Sequence, residues 1–207
     1  MQLIGMLDSP YVRRVAISMK LMGLLFEHRP VSVFRHYTEF SKINPLVKAP
    51  TLVCDDGEIL MDSTLMLDYL ETLVPADKRL LPADGAARRD RLQRIGIALV
   101  ACEKTVQHYY ELSLRPAQKR EQSWLDRVAG QLHAAYDLLE PIAARANAKS
   151  TWISGKLMQQ DDVTIAVAWR FTQFNSPGLV DPARYPALAA FSVRAEALPE
   201  FIAAPLD

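Results

Sequence analysis

Only two cysteines, Cys54 and Cys102, occur in 207 residues. They lie far apart and form no CxxC, which excludes a disulfide framework and a four-cysteine zinc site and leaves buried, reduced thiols as the expectation. Net charge is missing as well. Twenty-four basic residues balance 24 acidic ones, so no overall field draws the molecule toward nucleic acid or anionic lipid, and neither is expected as a partner. The longest stretch without Asp, Glu, Lys or Arg runs from Phe171 to Val180, about half of the roughly 20 residues a membrane helix needs. The opening MQLIGMLDSPYVRR has no basic segment followed by an apolar run and a cleavage site, which makes the cytoplasm the expected compartment. There is no glycine-rich phosphate loop and no GxSxG elbow, and the four histidines (His28, His36, His108, His133) show no ligand spacing. P-loop, esterase and metalloprotease chemistry drop out, and no metal is expected.

What remains is ordinary globular composition, 50% apolar and 23% charged, over a length that suits one large domain or two small ones. The character of the chain changes near residue 80. Before it, short β-like runs alternate with helical ones: QLIGM, a helix from about Pro10 to Leu24, FEHRPVSV, a short helical piece near Thr38 to Lys42, TLVC, then ILM followed by a helix to about Leu73. The strand, helix, strand opening predicts a parallel pair. Asp56-Gly57 between TLVC and ILMD is a hairpin signal that adds two antiparallel strands. The first half therefore reads as an α/β domain on one mixed four-stranded sheet.

The segment VPADKRLLPADGAARRD has no sustained periodicity and marks the domain boundary. The division placed there is residues 1–78, a linker at 79–86, and an all-helical domain over 87–207. In that second half Leu92, Ile95, Leu99, Cys102, Val106 and Tyr109 define an apolar stripe on a long helix. Helices follow over Trp124 to Ala146, Gln160 to Phe174 and Pro186 to Leu198. VTIAVAWRFTQF is apolar around most of its circumference, as a central buried helix should be. Asp162, just ahead of it, suits hydrogen bonding to first-turn amides.

Three motifs could carry chemistry. In DSPYVRRV, Ser9 follows a strand and Pro10 takes the first helical position; Ser9 is either a plain helix cap or a hydroxyl that donates to a thiolate at the positive end of a helix dipole. In NPLVKAPTL, Pro50 stands immediately before a strand. It is either a strand-starting proline or a cis one that turns the Ala49 backbone outward to pair with a peptide-like ligand. In ILMDST, Asp62 and Ser63 set a carboxylate and a hydroxyl side by side at a helix start. They are either ordinary caps or the two halves of an amino-acid site, Asp62 for the ammonium and Ser63 for the carboxylate.

DSPYVRRV, NPLVKAPTL, DDGEILMDST and a helical second half ending YPALAAF together resemble a cytosolic glutathione S-transferase of the serine type, over nearly the whole chain. The resemblance implies a thioredoxin-like N-terminal domain, an all-α C-terminal domain, a homodimer, and glutathione as co-substrate. It implies further that Ser9 hydrogen-bonds the glutathione sulfur, that Ala49 and Pro50 clamp the cysteinyl unit with Lys48 nearby, and that Asp62 and Ser63 hold the γ-glutamyl end. The activity implied is conjugation of the thiolate to small electrophiles, as in detoxification. The alternative is a non-catalytic interaction protein on the same scaffold.

For the electrophile, Tyr109, Tyr110 and Trp169 are the aromatic candidates, with core packing the competing role for Trp169. Arg14 matches a basic position in the family's first helix, as ligand contact or structural partner. The apolar face around Leu65, Met66 and Tyr69 is a candidate dimer surface. Two features depart from the family pattern. Ala49 replaces a branched residue, and Gln159 stands where Ser or Thr usually begins a capping box with Asp162.

Overall fold

The computed structural model describes residues 1–206, which separate into two compact units. The first comprises Met1–Leu81 together with the segment from Ala197 on; the second is Pro82–Glu196.

The first unit carries β1 (Gln2–Ile4), α1 (Pro10–Met22), β2 (Glu27–Arg29), α2 (Tyr37–Ile43), β3 (Thr51–Val53), β4 (Ile59–Met61) and α3 (Ser63–Thr72). The strands form one sheet in the order β2-β1-β3-β4. β1 pairs parallel with β2 and antiparallel with β3, and β3 pairs antiparallel with β4. This is the mixed four-stranded sheet expected. β2 is shorter than the run FEHRPVSV read as its strand, because Pro30 has no amide to continue the ladder.

Central strands are covered on both faces, so Leu3, Ile4 and Leu52 are all fully buried. Ile4 packs with Val31 and with Phe40 of α2. The hairpin between β3 and β4 is one residue longer than a two-residue turn. Cys54 N–H donates to Glu58 O at 2.9 Å and Gly57 N–H to Cys54 O at 3.1 Å, with Gly57 at φ +89°. A three-residue loop of this kind needs a left-handed residue in that place.

α1 is punctuated at both ends. Ser9 caps it, Pro10 enters at its first position, and Gly23 leaves in the left-handed conformation while donating to Lys20 O. The chain after α3 is held by Glu71, whose Oε1 accepts from the amides of Leu80 (2.8 Å) and Leu81 (3.1 Å).

The helical unit consists of α4 (Gly85–Ser113), α5 (Gln122–Ala148), α6 (Gln160–Asn175) and α7 (Pro186–Glu196). α6 is buried almost throughout, with Arg170 exposed. The buried side of α4 differs from the apolar stripe read in the sequence. Leu92 and Tyr109 are exposed, whereas Ile95, Ala98, Ala101, Cys102 and Thr105 are buried. Small residues let α4 approach α6 closely enough for Thr105 Oγ1 to lie 2.7 Å from Thr172 Oγ1, which is in turn 2.6 Å from the buried Tyr136 hydroxyl.

The Asp162 arm of the capping box survives the Gln159 substitution. Its Oδ2 accepts from Gln159 N at 2.9 Å, and its Oδ1 from Ile153 N at 2.7 Å. Asp161 beside it accepts from Arg94 Nη1 (3.0 Å) and Ser154 Oγ (2.8 Å).

The C-terminal segment, expected within the helical domain, belongs instead to the first unit. Pro199 restarts the chain as α8 (Pro199–Ile202), since the residue before a proline is driven out of the helical region. Phe201 and Ala204 are then buried, and Arg13 of α1 donates from Nε to Ala204 O at 2.8 Å with its guanidinium 5.6 Å from the Phe201 ring centre.

Candidate functional site

Strand register gathers the three motifs. Ile4, the last residue of β1, pairs with Thr51, the first of β3, and Thr51 pairs with Met61, the last of β4. With neighbouring strands about 4.8 Å apart, the segments carrying Ser9, Ala49-Pro50 and Asp62-Ser63 all leave the sheet from the same edge. The sequence placed each motif at a strand end; the antiparallel register puts those ends together.

Gly5 makes the closeness quantitative. Its φ is +138°, and a Cβ built there would lie 2.6 Å from Val12 Cγ2 and 3.2 Å from Ala49 Cβ. The turn out of β1 thus touches both α1 and the segment ahead of Pro50. Sequence reasoning passed over Gly5, although a glycine directly after an apolar strand is itself a signal of close backbone approach.

Ser9 is half-buried, and its Oγ accepts from Val12 N at 3.5 Å. A hydroxyl that accepts still has its own proton to donate. The Ala49-Pro50 peptide is cis. Pro50 is buried and Ala49 is partly so, packed at the margin of the Ile4 cluster. Lys48 is exposed, and its carbonyl accepts from Thr51 Oγ1 at 2.8 Å. Asn44, which the sequence reading missed, stitches this loop: it is buried, donates from Nδ2 to Thr51 Oγ1 at 2.9 Å, and accepts from Leu46 N at 3.0 Å. Its signal is an asparagine at the start of a turn, where the side chain replaces a backbone partner.

Asp62 is the N-cap of α3. Its Oδ1 takes the amides of Thr64 (2.8 Å) and Leu65 (3.3 Å), and it sits at φ +69°, ψ +118°. Such a conformation is uncommon outside glycine, and strain of this kind clusters at functional sites. Ser63 is 4% exposed. Its Oγ lies 3.0 Å from Arg14 Nη1, which also reaches Thr64 Oγ1 at 3.2 Å. Arg14 therefore acts on the pair through Ser63, a link that no local pattern shows.

Cys54, on the same sheet, is buried among acidic neighbours. Desolvation, and then the charge of Asp56, push its thiol above the ordinary value. It therefore has little thiolate to serve as a nucleophile.

In the helical unit, Tyr109 and Tyr110 are both partly exposed near the end of α4, with ring centres 6.2 Å apart. Tyr109 borders a cleft of about 360 Å³ with His108, Leu112, Ser176, Pro177 and Leu179. His108 Nδ1 lies 3.3 Å from Ser176 Oγ, and desolvation lowers the imidazole pKa and favours its neutral form. Tyr110 does not border this cleft.

Trp169 packs as a core residue. It is 4% exposed and packs edge-on against Tyr136 and Tyr185, with ring centres 5.1 and 5.9 Å away. A helix buried on nearly every side turns even an indole into core. Among the described residues no cluster of His, Cys, Asp or Glu could hold a metal ion, and no helix is long and apolar enough to cross a membrane.

Comparison with known proteins bears on the fold. Residues 3–78 match the family described as Glutathione S-transferase, N-terminal domain. An uncharacterized GST-like protein of Escherichia coli (strain K12), YibF, is 27% identical over 147 residues, which cover 68% of each chain. Maleylacetoacetate isomerase of Pseudomonas aeruginosa is 35% identical over 95 residues, 44% of this chain and less than half of that protein at 43%. A crystal structure of a glutathione transferase family member from Pseudomonas fluorescens Pf-5 with bound glutathione superposes with a TM-score of 0.85 at 27% identity, covering 100% of this chain and 98% of that one.

Proposed function

We propose that this chain, whose residues 3–78 match the glutathione S-transferase N-terminal domain family and whose fold is that of glutathione transferases, is a serine-type enzyme of that family that conjugates glutathione to small electrophiles. The observation that supports the reading is the shared sheet edge: Ile4, Thr51 and Met61 are in register, so the segments carrying the Ser9 hydroxyl, the Ala49-Pro50 backbone and the Asp62-Ser63 pair meet the sheet at one edge.

In this reading Ala49 offers its main chain to the cysteinyl unit, with Pro50 fixing the turn and Lys48 flanking it. Asp62 takes the ammonium of the γ-glutamyl end and Ser63 its carboxylate. The Ser9 hydroxyl donates to the sulfur. A free thiol titrates near 8.5 and is about 3% thiolate at pH 7; lowering that value to about 7 raises the fraction to about half. The thiolate then attacks an electrophilic carbon. A carbon–sulfur bond forms, and either a leaving group departs with its electron pair or, in conjugate addition, a proton is taken up at the adjacent carbon. Tyr109, with Tyr110 beside it on α4, is the proposed contact for the apolar second substrate.

The homodimer belongs to the same proposal. Met66 is fully buried and drops out of the surface anticipated there, while Leu65 and Tyr69 of α3 and Leu73 just after it remain 65%, 37% and 45% exposed. Sedimentation of micromolar protein as a species of twice 23.3 kDa supports it; a monomer alone refutes it.

Two measurements test the activity. Calorimetric titration should detect glutathione binding, and its absence at millimolar ligand favours the interaction-protein alternative. Conjugation of a nitroaromatic electrophile at pH 6.5 should fall about tenfold or more in Ser9→Ala, with the gap closing above the thiol's own pKa. Equal rates at pH 6.5 rule out the Ser9 assignment.

A further inference from the structure

We propose that the C-terminal residues 199–204 are a strap on the first turn of α1, and that Phe201 and Arg13 are positioning residues that hold the Ser9 hydroxyl in place for the glutathione sulfur. The inference rests on the glutathione reading above and adds two residues to it.

α1 begins with few bonds of its own. Pro10, at its first position, has no amide to offer, and the contact from Val12 N to Ser9 Oγ is long at 3.5 Å. The bond that closes the turn runs from Arg13 N to Ser9 O, at 2.9 Å. A shift of Arg13 is therefore carried directly to Ser9. What steadies the turn comes from outside the helix, on two successive residues. Val12 lies against the Gly5 turn, where an added Cβ would meet its methyl at 2.6 Å. Arg13, about 100° further round the helix, is held by the strap: its Nε donates to Ala204 O at 2.8 Å, and its guanidinium lies 5.6 Å from the Phe201 ring centre.

The strap is itself well fixed. Arg13, Phe201 and Ala204 are all buried. The amides of Phe201 and Ile202 donate to Leu198 O, that of Ala203 to Pro199 O and that of Ala204 to Phe201 O, at 2.9 to 3.1 Å. A buried guanidinium is unfavourable unless its donors are met, and an aliphatic side chain would fill the space beside Phe201 without that demand. What the guanidinium adds is direction. A hydrogen bond to a fixed carbonyl sets the distance between α1 and the strap, where apolar contact alone would let the helix slide. Direction matters at the other end of the turn, because a hydroxyl donates to a sulfur only over a narrow range of distance and angle. With the strap loosened, Ser9 donates less well, the bound thiol titrates closer to the free tripeptide, and less thiolate is present below that pH.

The test follows the ionisation of glutathione on the full chain, by the ultraviolet absorbance of the thiolate and by the pH profile of nitroaromatic conjugation. Phe201→Leu keeps the segment apolar but removes the ring beside Arg13. At pH 6.5 it should lower conjugation about three- to tenfold, with the gap closing above the free thiol's pKa, and the bound thiol should titrate correspondingly higher. Arg13→Met should act in the same direction. Ile202→Ala, on the exposed side of the same short helix, should change neither readout. In a Ser9→Ala background, Phe201→Leu should lower the rate less than about twofold further, since the strap acts through Ser9. An unchanged profile, a loss of equal size at every pH, an Ile202→Ala effect as large as that of Phe201→Leu, or additive effects of Ser9→Ala and Phe201→Leu overturn the inference.

If Phe201→Leu does not fold, hydrogen exchange on the native protein decides. Coupling between two sites is reciprocal, so saturating glutathione should slow exchange of the amides of residues 201–204 at least about threefold; unchanged exchange overturns the inference. Native protein that binds no glutathione overturns the glutathione reading and this inference with it, whereas a Ser9-dependent rate that Phe201→Leu leaves unchanged overturns the strap alone.

Discussion

Replacing Asp62 separates two roles that its geometry combines. The carboxylate caps α3 through Oδ1, with the Thr64 and Leu65 amides at 2.8 and 3.3 Å, and its backbone sits at φ +69°. In the proposed complex the same group neutralises the ligand's ammonium. Asp62→Asn keeps an oxygen for both amides, and asparagine tolerates positive φ as well as aspartate does. Its stability should therefore fall only by the lost charge at the helix N-terminus, about 0.5 kcal/mol. Asp62→Ala loses the cap, about 1 kcal/mol, and places a β-carbon without compensation in a left-handed conformation for about 1 more.

Binding should respond differently. Either substitution removes the ammonium's charged partner, a loss of about 1 to 2 kcal/mol once the exposure of Asp62 is taken into account, or about 5- to 30-fold in Kd. Urea unfolding read beside glutathione titration gives both quantities. Asn should be near native in stability and weak in binding, and Ala poor in both. An Asn variant that binds glutathione as the native protein does would refute the ammonium role, and an Ala variant as stable as Asn would refute the cap.

Other consequences concern the scaffold. Gly5→Ala should destabilise the chain by about 2 to 4 kcal/mol, because φ +138° and a contact of 2.6 Å to a Val12 methyl leave the new carbon no room; an unfolding midpoint within error of native would show that the turn relaxes at no cost. Stability should also fall as pH rises toward neutrality. Burial and the adjacent Asp161 push the Asp162 carboxyl up to about 7, whereas in the unfolded chain it titrates near 4, so the native state holds the extra proton between those values and loses that advantage as pH climbs through about 7. Asp161→Asn removes a neighbouring charge and should flatten the decline in urea midpoint from pH 5 to 8. A native profile that is level or rises over this range would contradict the assignment.

How much could be read in advance follows from how local each cause is. Ser9, Pro10 and Gly23 delimit α1 through groups within a turn of themselves, and Asp62 caps α3 in the same way, so those ends are visible in the sequence. The burial of α6 is legible for a similar reason: a helix apolar on every side has nowhere to go but inward. The buried side of α4 was legible only in part. Ile95 and Cys102 lie on the apolar stripe read in the sequence, but Ala98, Ala101 and Thr105 are small and only weakly apolar, and they are buried because small side chains permit the close approach to α6, which depends on the partner rather than on periodicity. Trp169 shows the converse, an aromatic that suits a pocket by type and is assigned to the core by its neighbours.

The candidate site divides along the same line. Sequence alone determined the chemical groups, a capping serine, a proline before a strand and an acid beside a second serine, because each is required by the local backbone that it ends or starts. Tertiary structure decided that they share one edge, that Gly5 must be bare to let α1 and Ala49 close on it, and that Arg14 holds Ser63 from a helix 49 positions earlier in the chain. Those contacts come from strand register and helix packing, which are properties of the whole domain rather than of the segments that meet there.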